Sequence, residues 1–207
     1  MLACTNMTTS ITESTAEQLQ QPYYTPEEYL ELEEQAEYKH EYRDGIIVPM
    51  TGGTTNHNEI ASNFCTYLKV ALKGQNYRVF IGDIRLWIPR PRQYTYPDLM
   101  VVEGKPIYEG KGTTTITNPL LIAEVLSKST QDYDRGTKFT YYRSIPQFRE
   151  YVLIDQYRFA IERFAKNKEG QWVLTEYESE DVILSLETLN FQIPLKELYE
   201  NVDFNQA

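Results

Sequence analysis

The chain has 207 residues, 41% hydrophobic and 24% charged, with two histidines, two cysteines and a formal net charge of −10. One domain with a full core suits that length; two cysteines, Cys4 and Cys65, give no disulfide framework, and with only two histidines a Cys/His zinc cluster of usual spacing is excluded. The acidic total argues against a general nucleic-acid binder, and no apolar run approaches the ~20 residues of a bilayer span.

Residues 1–21 are rich in Thr, Ser and Gln without periodicity, which predicts a disordered or weakly ordered tail. They lack the basic start and apolar core of a signal peptide, so a cytoplasmic location is expected. Thr25-Pro26-Glu27-Glu28 predicts a helix start, with Thr25 as cap and Glu28 as its reciprocal partner, running to about Ala36. KHEYRDGIIVPM reads as two short strands around Asp44-Gly45. Asn56 with Glu59 predicts the cap of a second helix over 57–73, whose apolar residues Ile60, Phe64, Tyr67, Leu68 and Ala71 recur at helical spacing. Strands are expected at Arg78–Ile81, Ile84–Ile88, Asp98–Glu103 and Leu120–Leu126, the last apolar on both faces apart from Glu124, as a covered central strand reads. A helix after Asp132 ends before Pro146. Strands follow at Tyr151–Asp155, Phe159–Phe164 and Trp172–Tyr177, then a short strand and a last helical turn. The order predicts an α/β sheet with helices on its faces, one domain over 22–200 and a C-terminal tail over 201–207.

The chemistry concentrates between Tyr96 and Lys138. Residues 85–149 carry ten Lys or Arg against six Asp or Glu, a basic stretch in an acidic chain that permits a phosphate ligand. Glu124 shares a strand face with Ile122 and Leu126, so its carboxylate needs a partner, a proton or a metal. Asp98 follows Pro97 at a strand mouth; alone it reads as a turn residue, and beside Glu124 it reads as half of a cation site. Lys138 follows on the returning helix with Asp134 and Tyr142 four residues either side, which also fits a simple Asp134–Lys138 surface pair. His57 begins a helix after a Gly-rich loop and suits either phosphate binding or packing. Glu41 is either a further acid at the site or a hairpin charge. A metal here would use oxygen ligands, which points to magnesium, manganese or calcium.

YPDLMVV, LIAEVLSKST and DRGTKFTYYRSIPQFREYVLID together resemble the Uma-type family of bacterial endonucleases, within the PD-(D/E)XK nuclease superfamily. The likeness spans about residues 24–200. It implies a restriction-endonuclease-like fold, an α+β domain with a central mixed sheet flanked by helices. It also implies metal-dependent hydrolysis of DNA. Pro97-Asp98 matches the first element and Glu124 the following acid. The superfamily's lysine position is Leu126 here, and Lys138 matches the place from which this family supplies its lysine. Glu41 and His57 match positions where the family carries the same types. On that reading Asp98, Glu124 and the Val125 carbonyl hold Mg²⁺ or Mn²⁺, Lys138 acts on water and phosphate, and Lys128, Arg135 and Arg143 contact the DNA backbone. A homodimer is compatible with cutting two strands. The alternative is a nuclease fold kept as a DNA- or protein-binding scaffold without the chemistry, which Leu126 and the acidic charge favour; a metal-free acid/base hydrolase is a remote third.

Overall fold

The computed structural model describes residues 22–206. The expected N-terminal tail and Cys4 lie outside them. Helix α1, Pro26–Gln35, starts as its sequence predicts. The Thr25 hydroxyl accepts from the Glu28 N–H at 3.1 Å, and the Glu28 carboxylate accepts from the Thr25 N–H at 2.7 Å. Strands β1, His40–Arg43, and β2, Ile46–Pro49, form the expected hairpin. Asp44 and Gly45 have φ of 41° and 98°, the left-handed values that a tight two-residue hairpin turn needs at both positions.

Helix α2, Thr55–Ala71, corrects the expected cap. Thr54 caps it, its hydroxyl accepting from the His57 N–H at 3.1 Å. Asn56 lies inside the helix and has a better partner elsewhere. Its side chain donates to the Asp203 carbonyl at 2.8 Å and accepts from the Asp203 N–H at 3.2 Å. The closing residues, expected as a tail, are thereby held to the domain. Phe204 adds aromatic contacts with Phe159 and Tyr199.

Strands β3 to β13 are Tyr77–Ile81, Arg85–Ile88, Gln93–Thr95, Leu99–Glu103, Thr115–Ile116, Leu121–Leu126, Glu150–Asp155, Ala160–Lys166, Trp172–Glu178, Ile183–Leu186 and Phe191–Pro194. Between β8 and β9 the helix expected after Asp132 is a composite: α3, Gln131–Tyr133, a π-helical turn, Asp134–Lys138, and α4, Phe139–Tyr142. A last short helix, α5, is Leu195–Leu198.

The main sheet has the order β11-β10-β9-β8-β6-β3. Only β8 and β9 run parallel, joined by the composite helix as their crossover, and the other neighbours are antiparallel. Every residue of β8 is buried. On one face Leu121, Ala123 and Val125 pack with Ile60, Phe64 and Leu68 of α2 and with Leu184 and Ile193 of the β12–β13 hairpin. On the other, Ile122 and Leu126 pack with Phe139 and Tyr142 of the composite helix. A second sheet, β2-β1-β5-β4-β7, adds Leu86 and Ile88 to that second core. It is braced by the ring cluster of Tyr29, Tyr42 and Tyr94. Among the described residues no helix is long and apolar enough to cross a membrane.

Candidate active site

Strand register brings the two acids together. Leu99 opposes Ala123 in the antiparallel β6–β8 ladder, so the next step sets Asp98 against Glu124. Each then reaches the other's strand. The Val125 N–H donates to Asp98 Oδ2 at 2.8 Å, and the Asp98 N–H lies 3.4 Å from Glu124 Oε2. Alternation in an antiparallel ladder turns a residue's N–H and carbonyl to the same side. Continued past its last pair, Leu99–Ala123, the ladder would set the Val125 carbonyl toward Pro97, which has no N–H to give it.

The composite helix delivers the cation. Lys138 Nζ is 2.9 Å from Glu124 Oε1, 3.2 Å from Asp134 Oδ1 and 3.9 Å from Glu41 Oε1. The Asp134–Lys138 pair is buried rather than superficial, with side-chain exposures of 3% and 9%. Asp134 Oδ1 has no hydrogen-bond partner despite that 3.2 Å approach, so it holds the ammonium by charge alone. Tyr142, one turn on, donates its hydroxyl to Glu124 Oε1 at 2.6 Å. The Tyr151 hydroxyl donates to the Asp134 carbonyl at 3.1 Å, tying the π-helical turn to β9.

Glu41, on β1, is buried beside this group. It accepts from Arg43 Nη2 at 2.6 Å and from the Thr95 hydroxyl of β5. Arg43 in turn stacks 3.9 Å from the Tyr133 ring centre. His57 stands at the more open side, its Nε2 3.0 Å from Asp98 Oδ1; the Asp98 side chain is 22% exposed and that of Glu124 4%.

The charges settle unevenly. Burial pushes the Glu124 carboxyl up to about 8; Lys138 opposes the rise, and the charges of Asp98 and Asp134 add to it. Burial works against the Lys138 ammonium, but Glu124, Glu41 and Asp134 outweigh it and hold its pKa well above the ordinary lysine value. Burial also opposes ionisation of Glu41, yet Lys138, Thr95 and Arg43 together keep its pKa below the usual range. Desolvation disfavours protonated His57, and its hydrogen bond and attraction to Asp98 more than reverse that.

Asp98, Glu124, Val125, Lys138, Glu41 and His57 thus meet in one cluster. The other basic candidates lie outside it. Lys128 is exposed, its ammonium 4.8 Å from the Tyr157 ring centre. Arg135 is engaged by Glu162 at 2.8 Å and Gln131 at 2.9 Å, which spends its charge within the fold. Arg143 is exposed and lies over the Phe139 ring. Asp134 and Tyr142 also belong to the cluster, and their four-residue spacing either side of Lys138 is the sequence signal for their place. Arg43, two residues from Glu41 on one strand face, had a local signal in strand alternation; Thr95 gave none, because the β1–β5 pairing that brings it to Glu41 joins distant stretches.

Among the described residues, no three His, Cys, Asp or Glu side chains form a ready cage for an ion. The donor set fits a hard cation of another kind. It offers two carboxylates on neighbouring strands beside the backbone of Val125, with water to complete the shell. Glu124 Oε2 has only a 3.4 Å N–H contact, which leaves that oxygen free to meet a cation.

The Uma2 family model, described as "Putative restriction endonuclease", matches residues 26–196. The chain belongs to that family. It is 41% identical over 157 residues to the uncharacterized protein sll1609 of Synechocystis sp., covering 76% of this chain and 89% of the relative. It is 35% identical over 183 residues to slr1290 of the same organism, covering 88% and 95%. A crystal structure described as "a putative nuclease belonging to DUF820" from Anabaena variabilis superposes with a TM-score of 0.70 at 20% identity, covering 85% of this chain and 97% of that one. The shared fold is the restriction-endonuclease-like α+β architecture expected from the sequence.

Proposed function

We propose that this member of a nuclease family hydrolyses phosphodiester bonds of DNA with a divalent cation, Mg²⁺ or Mn²⁺, held by Asp98, Glu124 and the Val125 carbonyl. The observation that carries the reading is the opposition of Asp98 and Glu124 across one ladder, with the Lys138 ammonium 2.9 Å from the second acid. Bound there, the cation supplies phosphate polarisation and a water of lowered pKa. Asp98 and Glu124 fix its place on rigid strands. Lys138, kept protonated by Glu41 and Asp134, offsets charge growing on phosphate oxygens and cannot serve as a base while so held. His57 steadies Asp98 at the open side. Lys128 and Arg143, both exposed, suit contacts to the DNA backbone; Arg135 is already partnered.

One observation favours the scaffold reading as the second choice. Glu124 Oε1 already receives both Lys138 and Tyr142, as it would in a site turned into a structural ion pair. Cleavage separates the two. Supercoiled plasmid and single-stranded DNA are incubated with the protein in Mg²⁺, Mn²⁺ or chelator. Metal-dependent cutting is expected, lost in Asp98→Asn. Cutting that is unchanged in chelator, or equal in Asp98→Asn, would sink the proposal.

A further inference from the structure

A second surface of the composite helix carries recognition chemistry. Thr140, Tyr141, Arg143 and Ser144 line a groove with Arg90 of the β4–β5 turn and Trp172 at the start of β11, and no acidic residue lines it. In a chain of net charge −10 that composition is selective. Among the described residues Arg90 and Arg143, like Arg78, Arg85 and Arg149, have no ion-pair partner, whereas Arg43, Arg92, Arg135, Arg158 and Arg163 are paired with carboxylates. The Arg143 guanidinium is also held ready, 4.8 Å from the Phe139 ring centre and donating to Thr140 Oγ1 at 3.1 Å. Trp172 is half-buried and braced by Phe139 and Phe148, with ring centres 5.2 and 5.3 Å away.

We infer that this groove binds a single-stranded segment of DNA, its phosphates on Arg90 and Arg143 and an unpaired base against Trp172 or Tyr141. Two unpartnered guanidiniums select an anion. A braced indole and a phenol select a flat ring, and a duplex hides its base faces where a single strand offers them. The groove lies across the helix from the face that carries Lys138 and Tyr142 to Glu124. A helix with its side chains is ~10–12 Å across, so the composite helix stands between a strand held here and the carboxylate cluster. The inference takes its purpose from the DNA-cleaving reading, but binding can be tested apart from cleavage.

The test is fluorescence anisotropy with a labelled oligothymidylate and the full chain in chelator, so that nothing is cut. Wild type is expected to bind the single strand at least tenfold more tightly than a duplex of equal length. Arg90→Ala/Arg143→Ala alters two exposed side chains that make no ion pair and should fold normally by melting temperature. It should weaken binding and flatten the salt dependence, the slope of log K against log salt falling in magnitude by about 1.4 for two lost phosphate contacts on a single strand. Tryptophan emission should change on adding the single strand to wild type and not to the double variant. An unchanged affinity and slope in the double variant, a preference for duplex, or no binding to the single strand would each overturn the groove. If binding behaves as expected but no condition yields cleavage, the groove stands and the nuclease reading fails. If duplex is cut while the single strand never binds, the reverse holds.

Discussion

Glu124 is the residue on which the account turns, and its titration gives a signature free of any substrate. Its folded pKa is raised by burial to about 8, against about 4.3 in an unfolded chain. A carboxyl raised in this way leaves stability intact below the unfolded value, and the stability is lost as pH rises toward the folded value. Glu124→Gln keeps the shape and removes that titration. In chelator, the variant's stability relative to wild type should therefore climb from pH 5 to pH 8.5, measured by urea unfolding. A flat difference across that range would show that Glu124 is ionised throughout. Lys138 behaves oppositely. Its ammonium faces Glu124, Asp134 and Glu41 in a buried setting, and removing one partner of such a group strands the others. Lys138→Ala should cost roughly 3–5 kcal/mol at pH 7 by the same method. A loss below about 1 kcal/mol would place the pair in solvent-like surroundings.

At the scale of elements, the two main helix starts make a paired test. Thr54 caps α2, and its hydroxyl also donates to Gln156 Oε1. Thr54→Ala should cost about 1 kcal/mol, as lost caps do. Asn56→Ala should cost about as much or more, because it leaves the half-buried backbone N–H and carbonyl of Asp203 without their partners. Only the second variant should speed hydrogen exchange around residues 203–206; equal exchange in both would remove the Asn56 anchor from the account. The sequence misled here because Asn56-His57-Asn58-Glu59 carries a capping pattern two residues too late, and only a tertiary partner 147 residues away tells otherwise. The capping box at Thr25 was legible because both its bonds are local. So was the parity that sets Glu124 on one face with Ile122 and Leu126, since strand alternation fixes it. Strands β5 and β7, three and two residues long, fall below any readable period, and with them the second sheet was missed. The π-helical turn at Asp134–Lys138 has no sequence signature either, though the spacing of Asp134, Lys138 and Tyr142 already named the face that meets Glu124.

For the whole molecule, two sheets close around a cluster rich in carboxylates, and Glu41 from the second sheet joins Glu124 from the first on one ammonium. Such an arrangement concentrates negative charge beside Asp98, where the site is most open. That concentration is the reason to expect a cation, and it links the family, the fold and the proposed chemistry. A ligand that binds only the folded protein at a hundred times its Kd adds about 2.7 kcal/mol. In a domain of this size each kcal/mol raises the melting temperature by roughly 2–4 °C. The most direct measurement is thermal unfolding of wild type and Glu124→Gln with and without millimolar Mn²⁺. A rise of several degrees in wild type that vanishes in Glu124→Gln is the predicted result; no rise in wild type, or an equal rise in both, would contradict a cation held by Asp98 and Glu124.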